Sequence, residues 1–199
     1  MATLPLRVHL FMDYQNVHLT AHETFGKPGA QPHTSLIHPG RFADAVNQAR
    51  HDAKRDGVIS RVLVFRGQPS QAHEPEQNRR NRMQASEWMR DRRVQVAVRQ
   101  LKYPPAWPGE PAREKGVDVM LAANFIKDAA LRMADVVILA SRDTDLAAAL
   151  EVASDLPNPP VIEVCNWAGS GRLASTRVKP WCTMLDENAY LQSLDPRQY

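Results

Sequence analysis

The stretch DVVILASRDTDLAAAL (135–150) joins an almost continuously apolar run to a helical pattern through a short polar turn. A run of this kind is typical of a strand that helices cover on both faces of a sheet. Two aspartates, Asp143 and Asp145, stand one residue apart in the turn. A buried strand followed at once by a helix predicts a β/α unit of a parallel sheet, and open sheets of this type build their sites where strands end.

Four other apolar runs have the length and composition of strands. They are RVHLFM (7–12), RVLVFR (61–66), VQVAVR (94–99) and PVIEVC (160–165). Helical patterns lie near 40–55, 75–91, 116–133 and 144–154, which gives the alternation of strands and helices expected of stacked β/α units. We therefore predict an α/β protein with three layers, α/β/α, and a mainly parallel, Rossmann-like central sheet of five or six strands. The sixth strand would be an edge strand at WCTML (181–185), followed by a helix that begins at Asp186.

Length and composition indicate one soluble globular domain over residues 1–199, with a motif-bearing core at 7–166 and a C-terminal extension at 167–199. The hydrophobic fraction is 43% and the charged fraction 24%, which are ordinary values for such a domain. No apolar stretch reaches the roughly 18 residues that a membrane span needs, and the N-terminus lacks the pattern of a signal peptide. We expect a cytoplasmic protein with no membrane partner. The net charge of +3 permits a polyanionic partner without requiring one.

Four acidic residues are expected to meet at one edge of the sheet. Asp13 directly follows the first apolar run, Asp143 and Asp145 follow the fourth, and Asp118 stands where the third helix begins. The first and fourth strands are commonly neighbours at the point where the strand order reverses. Clustered carboxylates raise one another's pKa values, and a bound divalent cation offsets that cost. Oxygen ligands suit Mg²⁺ or Mn²⁺, so the sequence predicts a carboxylate-bound metal site.

Each of these residues also has a purely structural interpretation. Asp143 alone could be a helix N-cap, and Asp118 alone could be a first-turn acid that complements the helix dipole. Asp13 is harder to explain structurally, because a charged side chain does not suit a buried core and the sequence shows no obvious turn there. Asn16 either fixes its own backbone or contacts substrate or a metal-bound water. Ser141 either caps the turn or holds one of the aspartates in place through its hydroxyl.

At these positions the chain resembles a known family. FMDYQNV (11–17), EKGVDVMLAANFI (114–126) and DVVILASRDTDLAAAL are similar to the strand-one motif, the K-G-x-D helix start and the S-x-D-x-D turn of NYN domains. NYN domains are a PIN-like nuclease branch that includes the LabA-like proteins. The resemblance implies a PIN-like fold. It also implies that the acids form the catalytic metal site, with Asn16 and Ser141 in support; those acids are Asp13, Asp118, Asp143 and Asp145.

The resemblance implies a ribonuclease that hydrolyses RNA phosphodiester bonds with Mg²⁺ or Mn²⁺. One departure stands in the turn, where Arg142 replaces the glycine usual in the family; its guanidinium either clamps a phosphate or restricts the site. Lys115 is the other cation near the acids. Further phosphate-binding candidates are Arg79, Arg80 and Arg82, with Arg90, Arg92 and Arg93. The alternative for each arginine run is a solvated helix face. Tyr14, Tyr103 and Trp107 either stack on bases or pack locally.

Two rival functions remain open. A phosphatase of the haloacid dehalogenase type needs a second aspartate two positions after the first, where this chain has Gln15. The other rival keeps the fold and discards catalysis, as an inactive or weakly active NYN-type regulatory module that binds RNA or protein. The sequence also leaves open a homodimer, a regulatory protein partner, the RNA substrate, the number of metals, and endo- or exonucleolytic cleavage.

Overall fold

A computed structural model describes residues 5–173 and 175–199 of the chain. The strands are β1 (Arg7–Asp13), β2 (Val58–Gln68), β3 (Val94–Gln100), β4 (Val136–Ala140), β5 (Val161–Trp167) and β6 (Trp181–Leu185). The helices are α1 (Tyr14–Phe25), α2 (Pro39–Asp52), α3 (Pro75–Trp88), α4 (Val117–Ala130), α5 (Ala147–Ser154) and α6 (Glu187–Ser193). Short 3-10 helices lie at Pro32–Thr34 and Thr144–Leu146. The five predicted strands and the predicted edge strand are confirmed.

The six strands form one sheet in the order β3-β2-β1-β4-β5-β6, and every neighbouring pair is parallel. The chain therefore builds outward from β1 in one direction and from β4 in the other. β1 and β4 are paired along Val8–Met12 and Val136–Ala140, so the order reverses between them. This is the point where ligands bind in open α/β sheets, and the predicted adjacency of the first and fourth strands is confirmed.

Helices cover both faces of the sheet, because alternate residues of each strand point to opposite sides. On one face, Leu10 and Met12 of β1 pack with α1, α2, α6 and Trp88 of α3. On the other face, Phe11 of β1 packs with α4 and α5 and meets Phe125 edge to face at 5.3 Å between ring centroids. The arrangement is the predicted three-layer α/β/α, PIN-like fold. No helix within residues 5–173 and 175–199 has the length and apolar content to cross a membrane.

Helix α1 was not predicted from the sequence. It begins directly after β1 with Asp13 as its N-cap, where the carboxylate accepts a hydrogen bond from Asn16 N at 3.2 Å. Its buried side includes polar His18 and Thr20 as well as Val17 and Ala21, so its apolar stripe is too sparse for periodicity to reveal. Asn16 therefore lies in the first turn of a helix rather than in a loop.

Candidate metal centre at the strand ends

Asp13 stands at the end of β1 and is almost completely buried. Its Oδ2 accepts a hydrogen bond from Ser141 Oγ at 3.0 Å, and its Oδ1 is the cap acceptor of α1. Burial raises the pKa of Asp13 to about 6, although the hydrogen bonds from Asn16 and Ser141 lower it and the charges of Asp118 and Glu114 raise it further. Burial therefore destabilises the ionised form of Asp13, and the hydrogen bonds from Asn16 and Ser141 hold its carboxylate in place.

The turn after β4 is organised by Ser141. Its buried hydroxyl bridges Asp13 and the backbone N–H of Asp143, which donates to Ser141 Oγ at 3.0 Å. Asp143 in turn caps the 3-10 helix Thr144–Leu146 by accepting from Asp145 N at 3.0 Å. The backbone N–H of Arg142 donates to Asn16 Oδ1 at 2.9 Å, which ties this turn to the start of α1.

Gly116 brings the third acid to the same edge. Its φ of +77° lies in the left-handed region, which glycine adopts without steric cost, and α4 begins at the next residue with Asp118 in its first turn. Burial raises the pKa of Asp118, and the charges of Asp143 and then Asp145 raise it further. The K-G-x-D pattern therefore places a carboxylate at the helix start, opposite the turn after β4.

The structure brings together three of the four predicted acids. One carboxylate oxygen from each of Asp13, Asp118 and Asp143 lies within 4.8 Å of the other two. Asp145 lies outside this triad, exposed in the 3-10 helix, yet near enough for its charge to act on Asp118. The N-cap interpretation and the metal interpretation of Asp143 are compatible, because one of its oxygens caps the turn and a carboxylate has two.

The triad fits a divalent cation by its donor set. Three oxygens from carboxylates are hard ligands of the kind that Mg²⁺ and Mn²⁺ prefer. Opposite ligands of an ion with bonds of about 2.1 Å lie about 4 Å apart, so the observed spacing needs little adjustment. Burial is the main cause of the raised pKa values of both Asp13 and Asp118, and the neighbouring negative charges raise them further.

Glu114 is a further acid of this site that sequence reasoning passed over. Its Oε1 accepts a hydrogen bond from Gly67 N at 2.6 Å. The amide nitrogen of Gln15 faces the same carboxylate and donates to that oxygen at 3.0 Å. Burial raises the pKa of Glu114, and the charge of Asp118 raises it further. The signal available in the sequence was its place in the motif EKGVD, directly before Lys115.

The predicted cations divide into separate groups. The guanidinium of Arg142 forms an ion pair with Glu23 of α1 at 2.7 Å, and Lys115 is exposed directly before α4. On α3, Arg80 lines a cavity of about 410 Å³ together with Tyr14 and Arg66. Arg79 and Arg82 line a different cavity, of about 710 Å³, which the C-terminal residues 197–199 complete.

The remaining arginines lie at the end of α3 and before β3. Arg90 pairs with Glu87 at 3.2 Å, and Arg93 pairs with Asp44 and Asp91, each at 2.7 Å. Arg92 is exposed. The alternative to phosphate binding was a solvated surface. The ion pairs of Arg90 and Arg93 agree with that alternative.

Tyr14 is a core residue and is not available for stacking on a base. It is 3% exposed and packs on Trp88 at 4.7 Å between ring centroids. The guanidinium of Arg66 lies 4.8 Å from the centroid of the Tyr14 ring, a cation–π contact. Because α1 begins at Tyr14, the side chain turns into the core rather than toward the strand-end edge.

Comparison with known proteins agrees with this architecture. A family model for the NYN domain matches residues 7–156, a range that includes Asp13, Asp118 and Asp143, and the chain belongs to the NYN domain family. That family is PIN-like and of nuclease type. A similar solved structure is the crystal structure of a protein of unknown function from Vibrio parahaemolyticus; it has a TM-score of 0.55 at 17% identity and covers 98% of this chain and 99% of that chain. None of the curated proteins matches the chain.

Proposed function

We propose that this protein is a metal-dependent ribonuclease that hydrolyses RNA phosphodiester bonds at the Asp13–Asp118–Asp143 triad. The observation that carries the proposal is the meeting of these three carboxylates at the reversal point of the sheet, in a chain of the NYN family. Asp145 and Glu114 add negative charge at its margin. We further propose that the whole chain acts as one cytoplasmic domain.

The triad would hold Mg²⁺ or Mn²⁺. When bound there, such an ion supplies a water of lowered pKa and stabilises the charge that develops on the phosphate. Ser141 fixes the carboxylate of Asp13 and the backbone of Asp143, because its hydroxyl donates to Asp13 Oδ2 and accepts from Asp143 N. Asp118 approaches from the opposite side at the N-terminus of α4, where the helix dipole favours a negative charge. Lys115 and Arg142 are the cations nearest the triad along the chain and are proposed to contact the RNA backbone.

The test is cleavage of a mixed panel of single-stranded and structured RNAs by the purified full chain, with Mg²⁺, Mn²⁺ or chelator. Products that appear with either metal and disappear with chelator support the proposal. Asp143→Asn should abolish cleavage, since it removes one charged ligand while keeping a side-chain oxygen that can cap the turn.

The rival is a regulatory NYN module that binds RNA without cleaving it. The observation in its favour is Arg142, which precedes Asp143 in the chain and pairs with Glu23, at a position where the family usually has glycine. Metal-independent RNA binding without products from any member of the panel would favour this rival. A haloacid dehalogenase-type phosphatase is disfavoured, because Gln15 is an amide that faces Glu114.

A further inference from the structure

Three aromatic side chains cluster on the loops that follow β2 and β3. The ring of His73 stacks on Tyr103 with centroids 4.1 Å apart and planes 13° apart. Trp107 meets Tyr103 edge to face, with centroids 5.0 Å apart and planes 89° apart. Both loops begin at the carboxyl ends of parallel strands. The cluster therefore lies at the carboxyl ends of the strands, as the acidic triad does.

Hydrogen bonds hold this aromatic cluster outside the core. Tyr103 Oη accepts from Ser70 N at 2.8 Å and donates to Glu74 Oε2 at 2.5 Å. The loop that carries Tyr103 and Trp107 is closed at its base by paired backbone hydrogen bonds between Lys102 and Arg113, of 2.8 and 3.0 Å. His73 is exposed, while Tyr103 and Trp107 are half-buried. The rings are thus oriented in advance and remain accessible.

A cavity of about 530 Å³ opens between Glu114, whose charge acts on Asp13, and the bases of the two loops that carry the cluster. Its lining includes Gln15, Glu114, Arg66, Arg113 and Pro69, the first residue of the loop after β2. Glu114 is bonded to Gly67 N, and Tyr103 is bonded to Ser70 N, three residues further along the same chain. Three residues span at most about 11 Å when fully extended. A short stretch of nucleic acid therefore spans the distance from Glu114 to the aromatic cluster.

We propose that His73, Tyr103 and Trp107 form a nucleobase-stacking subsite, which holds a base of the RNA substrate at the strand-end edge that carries the triad. The proposal rests on the ribonuclease function proposed above. A base must be unpaired for one of its faces to lie on His73 or Trp107, and stacking of this kind tolerates any sequence. Arg113 is exposed on the lining of this cavity and is the cation available to a backbone phosphate, whereas the guanidinium of Arg66 is bonded to Asn81 and Gln84.

The experiment measures the affinity of the full chain for a fluorescent 12-nucleotide oligoadenylate, with Mn²⁺ present and Asp143→Asn as the non-cleaving background. In this background, His73→Ala combined with Trp107→Ala should weaken binding by about 5- to 100-fold, the loss typical of a removed stacking contact. The matched control is Trp181→Ala. Trp181 is 46% exposed and begins β6, the edge strand opposite β3 in the sheet order. Its removal should leave the affinity unchanged.

Two further measurements separate stacking from a general loss of structure. A 12-unit abasic ribose-phosphate chain should bind the parent and the double variant equally, because it has no bases. The double variant should also keep the salt dependence of the parent, since it loses no cation. In a Trp181→Phe chain, oligoadenylate should quench fluorescence, and Trp107→Phe should remove that quenching. An unchanged oligoadenylate affinity, or an equal loss on the abasic chain, would overturn the subsite.

Failure of the subsite and failure of the proposed function give different results. If the wild-type chain cleaves RNA with metal and the double variant binds oligoadenylate normally, the ribonuclease stands and the subsite falls. If no RNA is cleaved but oligoadenylate binding depends on His73 and Trp107, the subsite stands in a protein that only binds RNA.

Discussion

The Ser141 hydroxyl donates a hydrogen bond of 3.0 Å to Asp13 Oδ2 and joins the last residue of β1 to the turn after β4. The same oxygen accepts from Asp143 N, so one buried side chain positions two acids of the triad. Its hydrogen bond also lowers the pKa of Asp13, and it therefore helps to keep that carboxylate ionised. Ser141 acts on the site through the acids rather than as a ligand.

We expect Ser141→Ala to weaken Mn²⁺ binding by about 10- to 100-fold, the usual cost of removing a group that orients a metal ligand. The pKa of Asp13 should rise, because the variant loses a hydrogen bond to the charged form. Calorimetric titration with Mn²⁺ at several pH values measures both effects. Ser154→Ala, which removes only a hydrogen bond to Leu150 O within α5, is the control. Equal Mn²⁺ affinities for the two variants would contradict the role given to Ser141.

Asp13→Asn and Asp143→Asn are expected to remove cleavage without destabilising the metal-free fold. Each asparagine keeps an oxygen that can cap the following helix, and each removes a negative charge from the triad. For Asp13 the free energy of unfolding at neutral pH should rise by up to about 3 kcal/mol, as its raised pKa indicates. Urea unfolding in chelator is the measurement. A clear loss of stability in either variant would mean that the carboxylate is needed for structure.

The metal-free chain should lose stability as the pH rises from about 4 to about 6. Folded Asp13 keeps its proton up to about pH 6, whereas an aspartate in the unfolded chain releases it near 3.8. Between these values the folded state binds more protons, so its advantage is greatest below pH 4 and is lost as the pH passes 6. The difference in unfolding free energy between wild type and Asp13→Asn isolates this group. A difference that does not vary with pH would exclude a raised pKa.

The fold was largely predictable because its strands are short, apolar and regularly separated by helices. The meeting of Asp13 and Asp143 also followed, since Asp13 ends β1, Asp143 lies in the turn after β4, and these two parallel strands are neighbours. Helix α1 was missed because it starts without a linking residue and buries His18 and Thr20. Glu114 was missed although it stands in the motif EKGVD, because the contact with Gly67 that draws it to the site joins residues 47 positions apart.

Arg142→Gly should change substrate handling more than stability. The ion pair of Arg142 with Glu23 is exposed at both ends, and such pairs stabilise a fold by about 0–1 kcal/mol. Glycine keeps the backbone N–H that donates to Asn16. If Arg142 contacts one phosphate, the salt dependence of RNA affinity should flatten by roughly one counterion, and Glu23→Gln should strengthen binding by freeing the guanidinium. Cleavage per bound RNA should stay equal or rise, because the turn then has the glycine usual in the family.

The affinity is measured across a salt series in the Asp143→Asn background with Mn²⁺ present. Unchanged affinity and slope in both Arg142→Gly and Glu23→Gln would show that the guanidinium does not reach the RNA, and that the departure from the family pattern has no effect on binding.

Arg80 and Arg82 are expected to differ in their effect on RNA affinity, although both are exposed on α3. Residues two apart on a helix point about 200° apart around its axis. Arg80 lines one cavity with Arg66 and another with Tyr199, whereas Arg82 lines a third cavity, whose lining does not include Arg66. Arg66 also lines the cavity that reaches Glu114. Arg80→Ala should therefore weaken RNA binding and flatten its salt dependence, whereas Arg82→Ala removes the same charge with little effect. Equal losses would mean that the whole of α3 contributes only diffuse attraction.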